Sequence, residues 1–265
     1  MLEGLSTIAH AYVGATDHDA RPHSHAIALA AAVKAKLVSV HAATGAHDDP
    51  SPGRPAHERL AAWGRGAETI DEEVLVHRCC DDPVDTVLDA LKRVAPDLVV
   101  VGTEQRRGWQ RIFGESRAEV LTANLDVPVL VVPRTAKGFV GPQGELDLSR
   151  VIIPCGDRQS ARAALDHALA LVDQAGVADA ATFVLLHVGE GEPPDLDHPA
   201  ASRVRLEREH LDGDIDHTLA DAADGASLVV MATRGHDSIY DELMGSHTER
   251  VMRLVHVPLL SVPIR

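Results

Sequence analysis

The sequence is poor in cysteine: three residues in 265, two of them adjacent as Cys79-Cys80. That is too few for a disulfide framework and fits a reducing compartment. There is no run of about 18 apolar residues of the kind that spans a bilayer, and no basic-then-apolar leader opens the chain. The expectation is a soluble, cytoplasmic protein with no membrane partner. Positive charge is also scarce, since 25 Lys and Arg against 40 Asp and Glu give a formal charge of −15. Nucleic acid and anionic membranes recruit clustered Lys and Arg, so neither is expected as a partner. A phosphate loop of the form Gly-x4-Gly-Lys-(Ser/Thr) is absent. Gly64-Arg65-Gly66 lacks the third glycine and the strand context of a dinucleotide fingerprint. Histidine is plentiful at 16 residues, but the best local cluster, His77-Arg78-Cys79-Cys80, lacks the spacing that lets two ligands converge on one ion. No metal ligand is assigned, and solvated or core histidines are expected instead.

What the chain does contain is a duplication. Leu98-Val99-Val100 recurs as Leu228-Val229-Val230, and the run Val127 to Pro133 recurs as Val257 to Pro263. Thr103/Thr233, Ser116/Ser246 and Glu119/Glu249 keep the same offset of 130 residues. Two copies of one domain follow, with expected bounds 1–134 and 149–265. Residues 135–148 form a linker inside the Gly- and Pro-bearing stretch Arg134 to Leu148. Each copy is long enough to bury its own core.

Periodicity places strands alternating with helices in both copies. The second copy gives strands at Val151–Pro154, Thr182–Val188, Val204–Leu211, Leu228–Ala232 and Leu259–Val262. Its helices are expected at Ser160–Val172, at Ile215–Ala223 and from near Ser246. The first copy gives strands at Thr7–Tyr12, Leu37–Ala42, Val74–Arg78, Leu98–Val101 and Val129–Val132, with helices at His23–Lys36, Val84–Val94 and Ala118–Leu125. The fold class is therefore α/β: two tandem, doubly wound, mostly parallel five-stranded sheets with helices on both faces. His41 and His187 end equivalent strands, yet Leu98 lies 57 residues beyond the first and Leu228 only 41 beyond the second. The excess predicts an extra helix over Ala56–Ala62, replaced in the second copy by a loop over Glu190–Pro199.

Chemistry concentrates after the fourth strand of the second copy. Val230-Met231-Ala232-Thr233-Arg234-Gly235 is followed, nine residues on, by Gly245-Ser246-His247-Thr248-Glu249-Arg250. This is a strand running into a loop and then a helix, whose first turn offers free N–H groups and the positive end of its dipole to an anion. Gly235 and Gly245 permit close backbone approach to a phosphate. Ser246 and Thr248 add hydroxyl donors. Ligands of open α/β sheets also sit beyond the carboxyl ends of the strands.

These residues resemble the universal stress protein family, whose nucleotide-binding members carry Gly-x2-Gly-x9-Gly-(Ser/Thr) at this place. Here the run is Ala232-x2-Gly235-x9-Gly245-Ser246, and Leu186-His187-Val188 and the final Val-Pro-x-Leu-x-Val strand are similar too. The resemblance covers nearly the whole chain as a tandem pair. It implies an adenine-nucleotide alpha-hydrolase-like fold, a stress-response or regulatory role, and binding of ATP, ADP or AMP, with or without Mg²⁺, in the second copy. Carried over by position, the contacts are Val188, Met231, Ala232, Arg234, Gly235, Gly245, Ser246, His247 and Thr248, with Pro154, Cys155, Gly156 and Asp157 near the base and ribose. Gly245 and Ser246 would meet the phosphates through backbone N–H groups, and Arg234 would screen their charge. The resemblance also implies a dimer within one chain, formed by Val129–Val132 against Leu259–Val262. Association of two whole chains is left open.

The match has departures. The family's first strand ends in Pro-Val-Asp, and that carboxylate helps hold the adenosine. The run here is Pro154-Cys155-Gly156-Asp157, with glycine at the aspartate position and Asp157 one residue late, where a side chain points elsewhere. In the first copy Gly102 is kept, but Gln105 and Glu115 replace the next two glycines. Glu115 would place a carboxylate against a phosphate. No nucleotide is expected there, although Arg106, Arg107, Arg111 and Arg117 leave another anion open, and Gly114 sits one residue early.

Simpler roles account for several of these residues. Ser116-x-x-Glu119 and Ser246-x-x-Glu249 are capping boxes, so Ser246 serves its helix whether or not a phosphate binds. Asp81-Asp82 and Asp212-Gly213-Asp214 precede helices as N-caps. Cys155 reads as a small buried residue. No catalytic residue is assigned. Two further functional readings stay open: a tandem scaffold that binds no nucleotide and acts through protein partners, and a slow nucleotide hydrolase or phosphotransferase using Asp157 or His247.

Overall fold

A computed structural model describes residues 4–13, 20–43, 54–78, 82–103, 117–133, 138–196, 203–234 and 247–264. Its contacts divide the chain into two compact units, one built on Gly4–Thr135 with Val140–Leu146 and the other on Asp147–Arg265 with Ala136–Phe139.

In the first unit the order is β1 (Thr7–Val13), α1 (Ala20–Val33), β2 (Lys36–Ala43), α2 (Ala56–Ala62), β3 (Glu72–Arg78), α3 (Pro83–Val94), β4 (Leu98–Thr103), α4 (Arg117–Asn124) and β5 (Val129–Pro133). The strands pair in parallel as β3-β2-β1-β4-β5. The second unit repeats the scheme with β6 (Arg150–Pro154), α5 (Arg158–Gln174), β7 (Thr182–Val188), β8 (Arg205–Leu211), α6 (Ile215–Ala223), β9 (Leu228–Arg234), α7 (His247–Leu254) and β10 (Leu259–Ile264). Its strands pair in parallel as β8-β7-β6-β9-β10. The expected fold class and the extra helix at 56–62 are both found. Residues 190–196, where the second copy was expected to drop that helix, contain none.

Strand composition follows burial. Ile8, Ala9, Val151, Ile152 and Ile153 on the two central strands are fully buried, as strands covered on both faces require. The edge strands β3 and β8 carry charge and are half exposed along most of their length. In the first unit α1 covers the His10 side of the sheet, where His23 stacks on His10, and α3 covers the opposite side beside Val38 and Leu75. Helix starts use the expected caps. Asp82 Oδ1 accepts from the N–H of Val84 at 2.8 Å, and Asp214 Oδ1 from that of His217 at 3.1 Å. Ser116 and Ser246 lie outside the described residues.

One helix departs from the periodicity. The expected span His23–Lys36 is observed as Ala20–Val33, because Lys34 turns left-handed at φ 59° and Lys36 already pairs with Thr7 in the sheet. The run of alanines carries apolar character past the true end and gives no stop signal. The inserted α2 also has a task within its unit. Val140 bridges Leu146, Arg65 Nη1 donates to the Gly144 carbonyl at 2.9 Å, and the Trp63 indole lies where a Cβ on Gly144 would stand. Gly144, at φ 73°, is therefore required twice over.

The first unit buries histidines that the sequence only hinted at. His10, His23, His25 and His41 are all within 2% of full burial, and rings stack from His23 to His10 (5.0 Å), His10 to Tyr12 (5.3 Å) and Tyr12 to His41 (4.4 Å). Burial, reinforced by His23, holds His10 well below the ordinary histidine range, and burial lowers His25 to about 4. The unfolded chain takes up protons below about pH 6.5 that these folded residues refuse. Stability is therefore full above that pH and is lost as the pH falls toward about 4. Urea titrations at about pH 7.5 and about pH 5 should show a loss to which His25 alone contributes about 2 kcal/mol, a contribution that His25→Leu removes.

Candidate functional site

In the second unit the chain leaves β6 toward β7 on one side, while β9 pairs on the other. This reversal marks the place, beyond the carboxyl ends of β6 and β9, where an open parallel sheet holds its ligand crevice. Residues of the sequence pattern stand at this point on two neighbouring strands. Pro154 ends β6 and Cys155, Gly156 and Asp157 follow it, while Met231 and Ala232 lie between the middle and the carboxyl end of β9, which ends at Arg234. Val188 closes β7 next door.

Cys155 is 3% exposed, and its Sγ donates to the Ile153 carbonyl at 3.2 Å. Burial pushes the thiol up to about 12, so it is a thiol and not a nucleophile at neutral pH. Gly156 is exposed, and a Cβ built on it meets nothing within 4 Å. The position where the family carries its aspartate is thus open space. Asp157 cannot simply replace that aspartate, because its carboxylate caps α5. Oδ1 accepts from the Ser160 N–H at 2.9 Å and Oδ2 from the Ser160 hydroxyl at 2.7 Å. Met231 is buried, while Ala232 and Val188 are half buried.

The helix after β9, α7, is tied to α6 by Arg250, whose Nε lies 2.6 Å from Asp216 Oδ2, and its Val251 and Met252 are buried. His247 and Thr248 begin this helix. Gly235, Gly245 and Ser246, and the side chains of Arg234, His247 and Thr248, lie outside the described residues. So do Gln105, Gly114 and Glu115 of the first copy, with Arg106, Arg107, Arg111 and the side chain of Arg117. Among the described residues no group of three or more His, Cys, Asp or Glu is placed to hold a metal ion.

One residue beside the crevice was passed over as a ligand in the sequence. His187 brings both ring nitrogens to carbonyl oxygens, Nδ1 to Cys155 at 2.7 Å and Nε2 to Glu190 at 2.9 Å. These acceptors raise its pKa above the ordinary value. Its sequence position at a strand end was visible; its partners, 32 residues away in one case, were not.

Comparison with known proteins gives a consistent family. The model of the universal stress protein family matches residues 12–133 and 195–263. The universal stress protein of Archaeoglobus fulgidus DSM 4304 superposes at a TM-score of 0.66 with 17% identity, covering 96% of each chain. A putative universal stress protein of Pseudomonas aeruginosa UCBPP-PA14 gives 0.63 and 15%, over 99% of this chain and 94% of its own. A universal stress protein in complex with cAMP matches 44% of this chain and 98% of its own, at 20% identity and a TM-score of 0.34. No curated protein matches. No helix of the described residues is long and apolar enough to cross a membrane.

The chemistry of Cys155 is directly checkable. Iodoacetamide at neutral pH should leave Cys155 unmodified in the native protein and alkylate it in urea, read by peptide mass spectrometry; native labelling would contradict its burial.

Proposed function

The chain belongs to the universal stress protein family, and we propose that its second half binds an adenine nucleotide in a stress-response or regulatory role. ATP, ADP and AMP are the ligands in view, with or without Mg²⁺, in the crevice beyond β6 and β9. The single observation that carries this is the convergence on one switch point of the two segments that resemble the family's nucleotide contacts, Pro154–Asp157 and Met231–Arg234.

The parts divide the work. Gly235, Gly245 and the first turn of α7 would meet the phosphates through backbone N–H groups, where a helix N-terminus favours an anion. Arg234 would offset phosphate charge, and His247 and Thr248 would line the same turn. Pro154, Val188, Met231 and Ala232 supply apolar contact for the base and ribose. The gap at Gly156 leaves the base without the family's carboxylate, so affinity in this chain depends on the phosphates more than on adenine. The first half is not proposed to bind nucleotide. Its positions equivalent to Cys155 and His187 are Tyr12 and His41, whose rings stack at 4.4 Å.

Thermal unfolding tests this. Nucleotide at about a hundred times its Kd should stabilise by roughly 2.7 kcal/mol. No shift at millimolar ATP would contradict the proposal, and Gly245→Glu should abolish the shift by setting a carboxylate against the phosphate. Gly156→Asp enters open space and should tighten adenosine nucleotides about tenfold, the worth of one charged hydrogen bond, without comparable gain for inorganic triphosphate.

A further inference from the structure

The loop beyond β7 is held by two histidines. Gly189-Glu190-Gly191 turns with both glycines at positive φ, 103° and 110°, a path that a side-chain-bearing residue would resist. Along this path the Glu190 carbonyl meets Nε2 of His187, and the Gly189 carbonyl meets Nε2 of His210 on β8. The two imidazoles lie 5.8 Å apart. The other nitrogen of His187 reaches back to the Cys155 carbonyl at the end of β6.

A carbonyl oxygen only accepts, so each of these contacts is a hydrogen bond only when the facing nitrogen carries a proton. Neutral imidazole has one N–H and imidazolium has two. The observed arrangement at His187 is complete for the imidazolium alone. The groups around the ring are Cys155 from β6, Glu190 and Glu192 from the loop, and His210 with Asp212 beyond it on the β8 side. Glu192 favours the charged form, whereas a charged His210 would oppose it.

We propose that doubly protonated His187 is a positioning residue of the nucleotide site, tying the end of β6 to the chain beyond Val188 and so setting the geometry at the base end of the crevice. The inference rests on the nucleotide reading above. Cys155 sits between Pro154 and Gly156, and Val188 follows His187, so the two bonds span the segments assigned to the base. Loss of the proton forfeits one bond, releases either β6 or the loop, and weakens binding. The first unit supplies a contrast. Counting from the paired residues Ile8/Leu37 and Val151/Phe183, His41 stands where His187 does, but it is fully buried against Tyr12, whereas His187 is half buried beside a small Cys155.

Two measurements on the full chain decide the matter. Long-range ¹H–¹⁵N spectra of the histidine rings, assigned with His187→Gln, should show both nitrogens of His187 protonated at about pH 6.5, where an unperturbed histidine is half neutral. ATP affinity should then weaken roughly three- to tenfold more in the wild type than in His187→Gln as pH rises through that titration. Glutamine donates to one carbonyl at any pH, and the nucleotide's own ionisation is common to both proteins. A singly protonated ring at that pH, or equal pH slopes with binding intact, overturns the positioning role alone. Absence of binding by both proteins at every pH overturns the nucleotide reading and this role together, while the ring spectra still report whether the bonds exist.

Discussion

Parallel pairing is the constraint on which everything else in each unit depends. A parallel strand cannot turn back directly on its neighbour, so its connection must cross over, and most of the crossings here bring a helix onto the sheet. The central strands β1 and β6 are then covered on both faces, which is why Ile8, Val151, Ile152 and Ile153 have no exposed surface. The same constraint sends all carboxyl ends to one edge. Because β2 pairs on one side of β1 and β4 on the other, with β7 and β9 doing likewise around β6, each unit has one place where neighbouring connections part. The crevice is a consequence of the topology before any side chain is chosen.

Side chains then separate the two units. The first fills its strand ends with rings: Tyr12 lies on His41 and His10 on His23, all excluded from water. The second places small residues there, Cys155 and the open Gly156, and leaves His187 free to bond the chain on either side. Duplication preserved the ladder and the caps, while the groups at the carboxyl edge diverged. The Ala56–Ala62 insertion shows the same economy, since the turn after it holds the segment around Gly144 within the first unit.

Most of this architecture was legible because its causes are local or periodic. Buried strands read as runs of Val, Ile and Leu, and the Asp82 and Asp214 caps were visible from their place before helices. The boundary of α1 was not, because alanines blur the amphipathic period and a left-handed lysine is a poor stop signal. The site was only partly legible. Family-like spacing pointed to the two segments that meet at the switch point, but Asp157 turned out to be engaged by Ser160. His187 and His41 look alike in sequence. Their difference comes from Tyr12 and Cys155 on the neighbouring strand, a long-range fact that no local pattern carries.

In the proposed function, topology, helix polarity and small residues at a strand end give nucleotide binding to one half, with the other half retaining the fold. The most direct measurement is a crystal structure of the full chain grown with ATP and Mg²⁺. The expected result is a nucleotide beyond β6 and β9, with its phosphates at the first turn of α7 and its base beside Val188. Nucleotide in the first half, or a β6–β9 crevice left empty at saturating ATP, would contradict it.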